Sequence, residues 1–136
     1  MAPPTNVRHV RVPARVDAAV RALLAIADGD GQRVTGEDIA KAEGLSRRFL
    51  SSVLTDVGTA GLVESARGTG GGYRLAQPAE DINLWRVYEV ADRRPALAVR
   101  GGGPSAALWC SIEGEVRTYL ESVSLSELGR RRCRTG

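Results

Sequence analysis

Two short stretches concentrate side chains whose types and spacing point to one chemistry. The first is Ser46-Arg47-Arg48, continued by Ser51, Ser52 and Thr55. The second is Arg67-Gly68-Thr69-Gly70-Gly71-Gly72-Tyr73. A guanidinium is a planar fork of donors that fits a phosphate, or the edge of a guanine, with two parallel hydrogen bonds. Hydroxyls add single donors and acceptors, and glycines let a backbone come close to another surface. This is the chemistry of gripping a polyanion rather than of making bonds. The carboxylates are scattered along the chain, and no nucleophile, base and acid fall together, so no catalysis is expected. A nucleotide cradle is the rival reading of the glycine run. It lacks the Gly-Lys-Ser/Thr that should follow it, and no helix starts after the glycines.

The other reactive groups are few. Cys110, Cys133 and His9 are the only thiols and imidazole in the chain. Two cysteines make no disulfide framework, and the set is too small for a protein-built zinc site. Neither a metal nor another cofactor is expected. Cys110, after Leu108-Trp109, is expected to be a small buried hydrophobe, with a redox thiol as the alternative. Cys133 lies among Arg130, Arg131, Arg132 and Arg134, where a solvated tail is expected. His9 reads as an exposed arm residue, and Trp85 and Trp109 as packing residues.

The 136 residues suit one domain, or one small domain with an appended element. At 43% apolar and 26% charged the chain is ordinary globular material. The net charge is only +3, but eighteen of the 19 basic residues are Arg. No segment has the length and hydropathy of a membrane span, and the N-terminus carries no apolar signal core, so a cytoplasmic location is expected.

The elements that position these residues follow from periodicity and caps. Val16, Ala19, Val20, Leu23, Leu24 and Ala27 mark one face of a helix over 14–27, with Pro13 in its first turn. Asp28-Gly29-Asp30-Gly31 ends it, and 32–34 is an extended link. Thr35, with Asp38 three residues on, caps a helix over 36–43. Gly44 breaks that helix, and Ser46 caps the next, about 47–60, whose stripe is Phe49, Leu50, Val53, Leu54 and Val57. Gly61 stops it. Leu62-Val63 and Tyr73-Arg74-Leu75 read as a hairpin around the glycine turn. Asn83 caps a fourth helix. A fifth, about 106–123, carries Leu108, Ile112, Val116 and Leu120 at a spacing of four. Ser124 caps a last turn, LSELG, before a frayed basic end.

A short helix, a glycine turn and a longer helix with a basic, hydroxylated N-terminal face make a helix-turn-helix, and the hairpin behind it makes a winged helix. The bland reading of the same spacing is a helical hairpin with a solvated Arg pair and a flexible turn. A winged helix that serves as a protein-interaction module without DNA binding is the other alternative. The retained Arg47, Arg48 and Arg67 count against it.

The run AGLVESARGTGGGYRLA, preceded by RVPARVDAAVRALLAIA and followed by DINLWRVYEVAD, resembles the Rrf-two family of bacterial winged-helix regulators, which includes IscR, NsrR and CymR. The likeness extends over nearly all of residues 11–128. It implies a homodimeric DNA-binding regulator of transcription, with the helix near 106–123 as the dimerisation element. Family members that hold an iron–sulfur cluster carry three cysteines between helices four and five. Here that loop is RRPALAVRGGGPS and holds none. The family also has larger polar residues where this chain has Ser51 and Ser52, so its operator does not carry over. Val10-Arg11-Val12 stand where members commonly begin, so the first nine residues are either an extension or lie before a true start at position 10.

The expected fold is therefore mainly α. An N-terminal arm covers 1–12, a winged helix-turn-helix 13–92, a loop 93–105, a dimerisation helix with a short terminal turn 106–129, and a basic tail 130–136. The expected function is sequence-specific binding of double-stranded DNA at a roughly palindromic operator, as a homodimeric repressor that answers an unidentified small-molecule or redox signal. The DNA-binding set is Thr35, Ser46, Arg47, Arg48, Ser51, Ser52, Thr55, Arg67, Gly68, Thr69, Gly70, Gly71 and Tyr73. The dimerisation set is Leu108, Ile112, Val116 and Leu120, with Cys110 as the candidate thiol.

Overall fold

A computed structural model describes residues 12–93 and 102–135, with side chains through 131. The expectations for the arm 1–11, with His9, for loop residues 94–101 and for the side chain of Cys133 lie outside the described residues.

Six helices and one hairpin follow in the order α1 (Ala14–Ala27), α2 (Gly36–Glu43), α3 (Arg47–Thr59), β1 (Val63–Ala66), β2 (Gly72–Leu75), α4 (Leu84–Ala91), α5 (Pro104–Glu121) and α6 (Leu125–Thr135). The caps form as the side chains dictate. The Asp38 amide donates to Thr35 Oγ1 at 3.1 Å, and the Phe49 amide to Ser46 Oγ at 3.2 Å. The Arg86 amide donates to Asn83 Oδ1 at 2.9 Å. Gly44 takes the left-handed conformation, φ 65°, that lets the chain leave α2 and enter α3 without a strained side chain.

α1 is the central post of the core. Val16, Ala18, Ala19, Ala22, Leu23 and Ile26 are buried on it, and it packs on α3 and α4. Alanines at 18 and 22 let those helices approach closely, which turns the buried face slightly from the expected one, so that Val20, Leu24 and Ala27 are only partly buried. Leu50, Val53, Leu54 and Val57 of α3 fill the opposite side, with Leu62, Ile82, Val87 and Leu125 closing the cluster. Burial of such side chains at about 1.5–3 kcal/mol each is the main source of stability.

The wing is a two-stranded antiparallel hairpin with Val63 opposite Leu75 and Glu64 opposite Arg74. Arg74 Nε donates to Glu64 Oε2 at 2.9 Å across the strands. The link before α2 adds a third short rung. Val34 and Tyr73 exchange both backbone hydrogen bonds at 2.8 Å, which fastens the wing base to the start of α2.

Past α5 the chain returns to the core. Val123 and Leu125 are buried, and Leu125 donates its amide to the Ile82 carbonyl at 2.8 Å. The expected last turn and frayed end is instead an eleven-residue helix, α6, through Thr135. Its continuation has a local and a tertiary cause. Arg131 pairs with Glu127 one turn earlier at 3.1 Å, and its Nη1 donates to the Tyr119 hydroxyl on α5 at 3.2 Å. Among the described residues no helix is long and apolar enough to cross a membrane.

Candidate nucleic-acid interface

α3 is held with its N-terminus outward. Arg47, Arg48, Ser51 and Thr55 are exposed, and the last three repeat at helical spacing along one outer face. Thr55 Oγ1 donates to the Ser51 carbonyl at 2.8 Å, which leaves its lone pairs free to accept.

Ser52 is not on that face. It is half-buried, and its Oγ accepts from Arg15 Nη1 at 3.1 Å. One turn on, Asp56 Oδ2 takes Arg15 Nη2 at 2.6 Å and Arg93 Nε at 2.8 Å, while Arg93 Nη2 donates to Asp56 Oδ1 at 2.8 Å. The Arg93 hydrogen bonds, helped by Arg15 and opposed by partial burial, hold the Asp56 carboxyl below its usual pKa of 3.8. Arg15 Nε also donates to the Ala91 carbonyl at 3.3 Å. This cluster ties α1, the middle of α3 and the end of α4 together. Within it Ser52 is a hydrogen-bond acceptor for Arg15, whereas Ser51 stays exposed.

The wing tip carries Arg67, Gly68, Thr69 and Gly70, all exposed. At its base Gly72 has φ +125°, and a Cβ there would lie 2.7 Å from the Val34 carbonyl oxygen. Only glycine lets β2 press against the link in this way. Tyr73 is half-buried below the glycines and packs against the core.

Between the wing and the starts of α2 and α3 lies an open groove of about 780 Å³. Thr35, Arg47, Gly68, Gly70, Gly71 and Tyr73 of the expected set all line it. The fold thus gathers residues separated by up to 38 positions along the chain. Arg47 folds back over α2, where a Cβ on Gly36 would stand 3.0 Å from its Nη1 and 3.7 Å from the Tyr73 ring. Arg33 and Arg74, which stand outside the expected set, also line the groove. Arg33 could have been found by alternation, since Val34 turns inward and its neighbours must then turn out.

The expected dimerisation stripe stands on α5, which has no buried residue. Leu108, Ile112 and Val116 are 54%, 44% and 43% exposed, and Leu120 is half-buried. Trp109 and Tyr119, 50% and 57% exposed, join the same stripe. Trp109 is therefore not a packing residue within the chain. Trp85 is, stacked on Tyr88 with ring centroids 5.4 Å apart and with Arg117 over its face at 5.5 Å. Cys110 is exposed, against the expectation of a buried hydrophobe. Among the described residues no element covers its part of α5, and it sits two residues from Ile112, about 200° around the helix from the stripe.

A protein-held iron–sulfur cluster needs a set of thiolate donors, and this chain does not supply one. Residues 93–105 contain no Cys, His, Asp or Glu, and Cys110 lies beyond them inside α5. No group of three or more His, Cys, Asp or Glu stands together among the described residues.

Comparison with known proteins gives a consistent picture. The Rrf2 family model, described as an iron-dependent transcriptional regulator, matches residues 12–131. The chain is 34% identical over 131 residues to a putative HTH-type transcriptional regulator of Mycobacterium tuberculosis, covering 88% of this chain and 81% of that one. It is 33% identical over 132 residues to the HTH-type transcriptional regulator IscR of Photobacterium profundum, covering 89% and 76%. The solved structure of T. potens IscR shares the fold with a TM-score of 0.80 at 24% identity, over 93% of this chain and 91% of that one. CymR, the global cysteine regulator of B. subtilis, shares it with a TM-score of 0.77 at 24% identity, over 90% and 98%.

Proposed function

The chain belongs to the Rrf2 family of DNA-binding transcriptional regulators, and from that premise we propose that it acts as a homodimeric repressor on a roughly palindromic operator. The observation that carries the reading is the shared groove, in which the start of the recognition helix and the glycine wing meet although the sequence separates them. In this scheme Arg48, Ser51 and Thr55 of α3 face base edges in the major groove. Arg47 and the cap residues Thr35 and Ser46 meet the backbone. Arg67 enters the flanking minor groove, where Gly68, Thr69, Gly70 and Gly71 leave room for a close approach.

The paired copy is supported by α5. A helix with an apolar face and no covering element is marginal in water, and a second α5 laid against it would cover the Leu108/Ile112/Val116 stripe. Two-fold symmetry in the protein then asks for two-fold symmetry in the site. The division of labour is a DNA-binding unit over 13–92 and a dimerisation unit over 106–129, with residues 93–105 between them. No catalytic step is assigned to either. With no cysteine in 93–105, the signal is not read by a cysteine-held cluster there. The exposed Cys110 is the candidate for a redox signal, and a small molecule is the alternative.

Footprinting of the purified protein on genomic fragments tests the reading. Protected sites with two-fold symmetry that overlap promoters, with transcription falling as protein is added, are expected. Absence of any protected site would make the protein-interaction module the better reading.

A further inference from the structure

Arg33 lies in the groove between the wing and α2, on the link that Val34 pins to β2. Val34 is partly buried against the core, so the alternation of an extended backbone turns Arg33 and Thr35 toward the groove. Thr35 Oγ1 is occupied by the Asp38 amide, whereas the Arg33 guanidinium has no ion-pair partner among the described residues. Its Nη1 is buried and has no hydrogen-bond partner. An N–H shut away from water without an acceptor costs about 1–3 kcal/mol. Such a resting position gives up no hydrogen bond at Nη1 when the side chain swings out. The other charged groups of the groove are differently placed. Arg74 is paired with Glu64 at 2.9 Å, and Glu37 with Lys41 at 3.4 Å. Arg33 and Arg47 are the groove's arginines without an ion pair among the described residues.

We propose that Arg33 is a DNA-backbone contact. Its guanidinium leaves the groove wall to take a phosphodiester oxygen of the strand that runs between wing and recognition helix, beside Arg47. The assignment rests on the DNA-binding reading above and adds a contact residue to it. Because the contact is to phosphate, it carries affinity and register but no sequence preference. Its position is fixed by the two Val34–Tyr73 hydrogen bonds, so it would hold the wing and the start of α2 at a set distance from one strand.

The test is a salt titration by fluorescence anisotropy on a random-sequence DNA duplex, for which no operator need be known. Wild type, Arg33→Met, Arg33→Lys and Arg67→Ala are compared, together with the melting temperature of each free protein. Arg33→Met removes one phosphate contact in each protomer of the dimer, so it should weaken binding about 25- to 100-fold near 0.1 M salt and lower the slope of log affinity against log salt by about 1.8, or about 0.9 per protomer. Its melting temperature should stay level or rise, because the unpaired buried N–H is gone. Arg33→Lys should recover most of the slope. An unchanged slope and affinity in Arg33→Met, with Arg67→Ala weakened, would overturn the assignment and leave the DNA reading standing. A fall in melting temperature with the slope unchanged would also overturn it, by making Arg33 a structural residue. Failure of the wild type to bind any duplex would sink both.

Discussion

Placing a glutamate at Ile112 should separate the protomers without unfolding them. Ile112 is 44% exposed on a helix with no fully buried residue. Full burial of an isoleucine side chain stabilises by about 1.5–3 kcal/mol, so closing its open fraction against a second copy contributes about 1 kcal/mol per protomer. Two-fold symmetry counts this twice, about 2 kcal/mol for the dimer. The glutamates would lose that contribution and would also have to be desolvated, an effect of several kcal/mol per ion if buried intact. Even about 4 kcal/mol in total raises the dissociation constant about a thousandfold. Ile112→Ala, which loses only the burial, should raise it about thirtyfold. Sedimentation equilibrium reads both, and circular dichroism checks that the monomer keeps its helices. Retention of a wild-type association constant in Ile112→Glu would refute the reasoning, as would a wild type that is monomeric at micromolar concentration.

Two further outcomes follow from the geometry. Gly72→Ala would force a Cβ to 2.7 Å from the Val34 carbonyl oxygen at φ +125°. Strain plus loosening of the Val34–Tyr73 pair should cost about 2–4 kcal/mol, seen as a lower melting temperature and weaker DNA binding; an unchanged melting temperature would contradict the packing described. The second concerns Asp56, whose pKa is lowered in the folded state by Arg93 and Arg15. Its contribution to stability is fully present above the unfolded value, near pH 4, and is lost as pH falls through the lower folded value. Denaturant unfolding should therefore show Asp56→Asn less stable than wild type at neutral pH, with the gap closing below about pH 4; a gap that widens on acidification would contradict the assignment.

What was legible in the sequence is what local chemistry decides. Thr35, Ser46 and Asn83 cap because their oxygens reach amides three residues on, and no distant partner is needed. The hairpin was legible from its glycines. The turned residues were not. Ser52 and Ser51 are equivalent by composition, and only Arg15, reaching from α1, makes one a structural acceptor while the other stays exposed. The length of α6 depends on Tyr119, which lies on another helix. Exposure of Cys110 and Trp109 follows from the lack of a covering element over the first half of α5 among the described residues, a fact about tertiary arrangement that periodicity does not carry. Arg33 belongs to no motif, and its place in the groove is set by the pairing of Val34 with Tyr73 across thirty-nine positions.

The central claim is that the start of α3 and the wing tip together grip DNA, and one titration tests it most directly. Wild type, Arg48→Ala and Arg67→Ala are measured on a footprinted operator and on a random duplex over a range of salt. Loss of Arg48, if it reads a guanine, should cost about 1–3 kcal/mol on the operator and relax preference at one base pair. Loss of Arg67 should weaken binding most where the flanks are A·T-rich, with a smaller effect elsewhere. If both substitutions leave affinity and salt slope unchanged on both duplexes, this face of the molecule does not bind DNA, and the account is wrong at its centre.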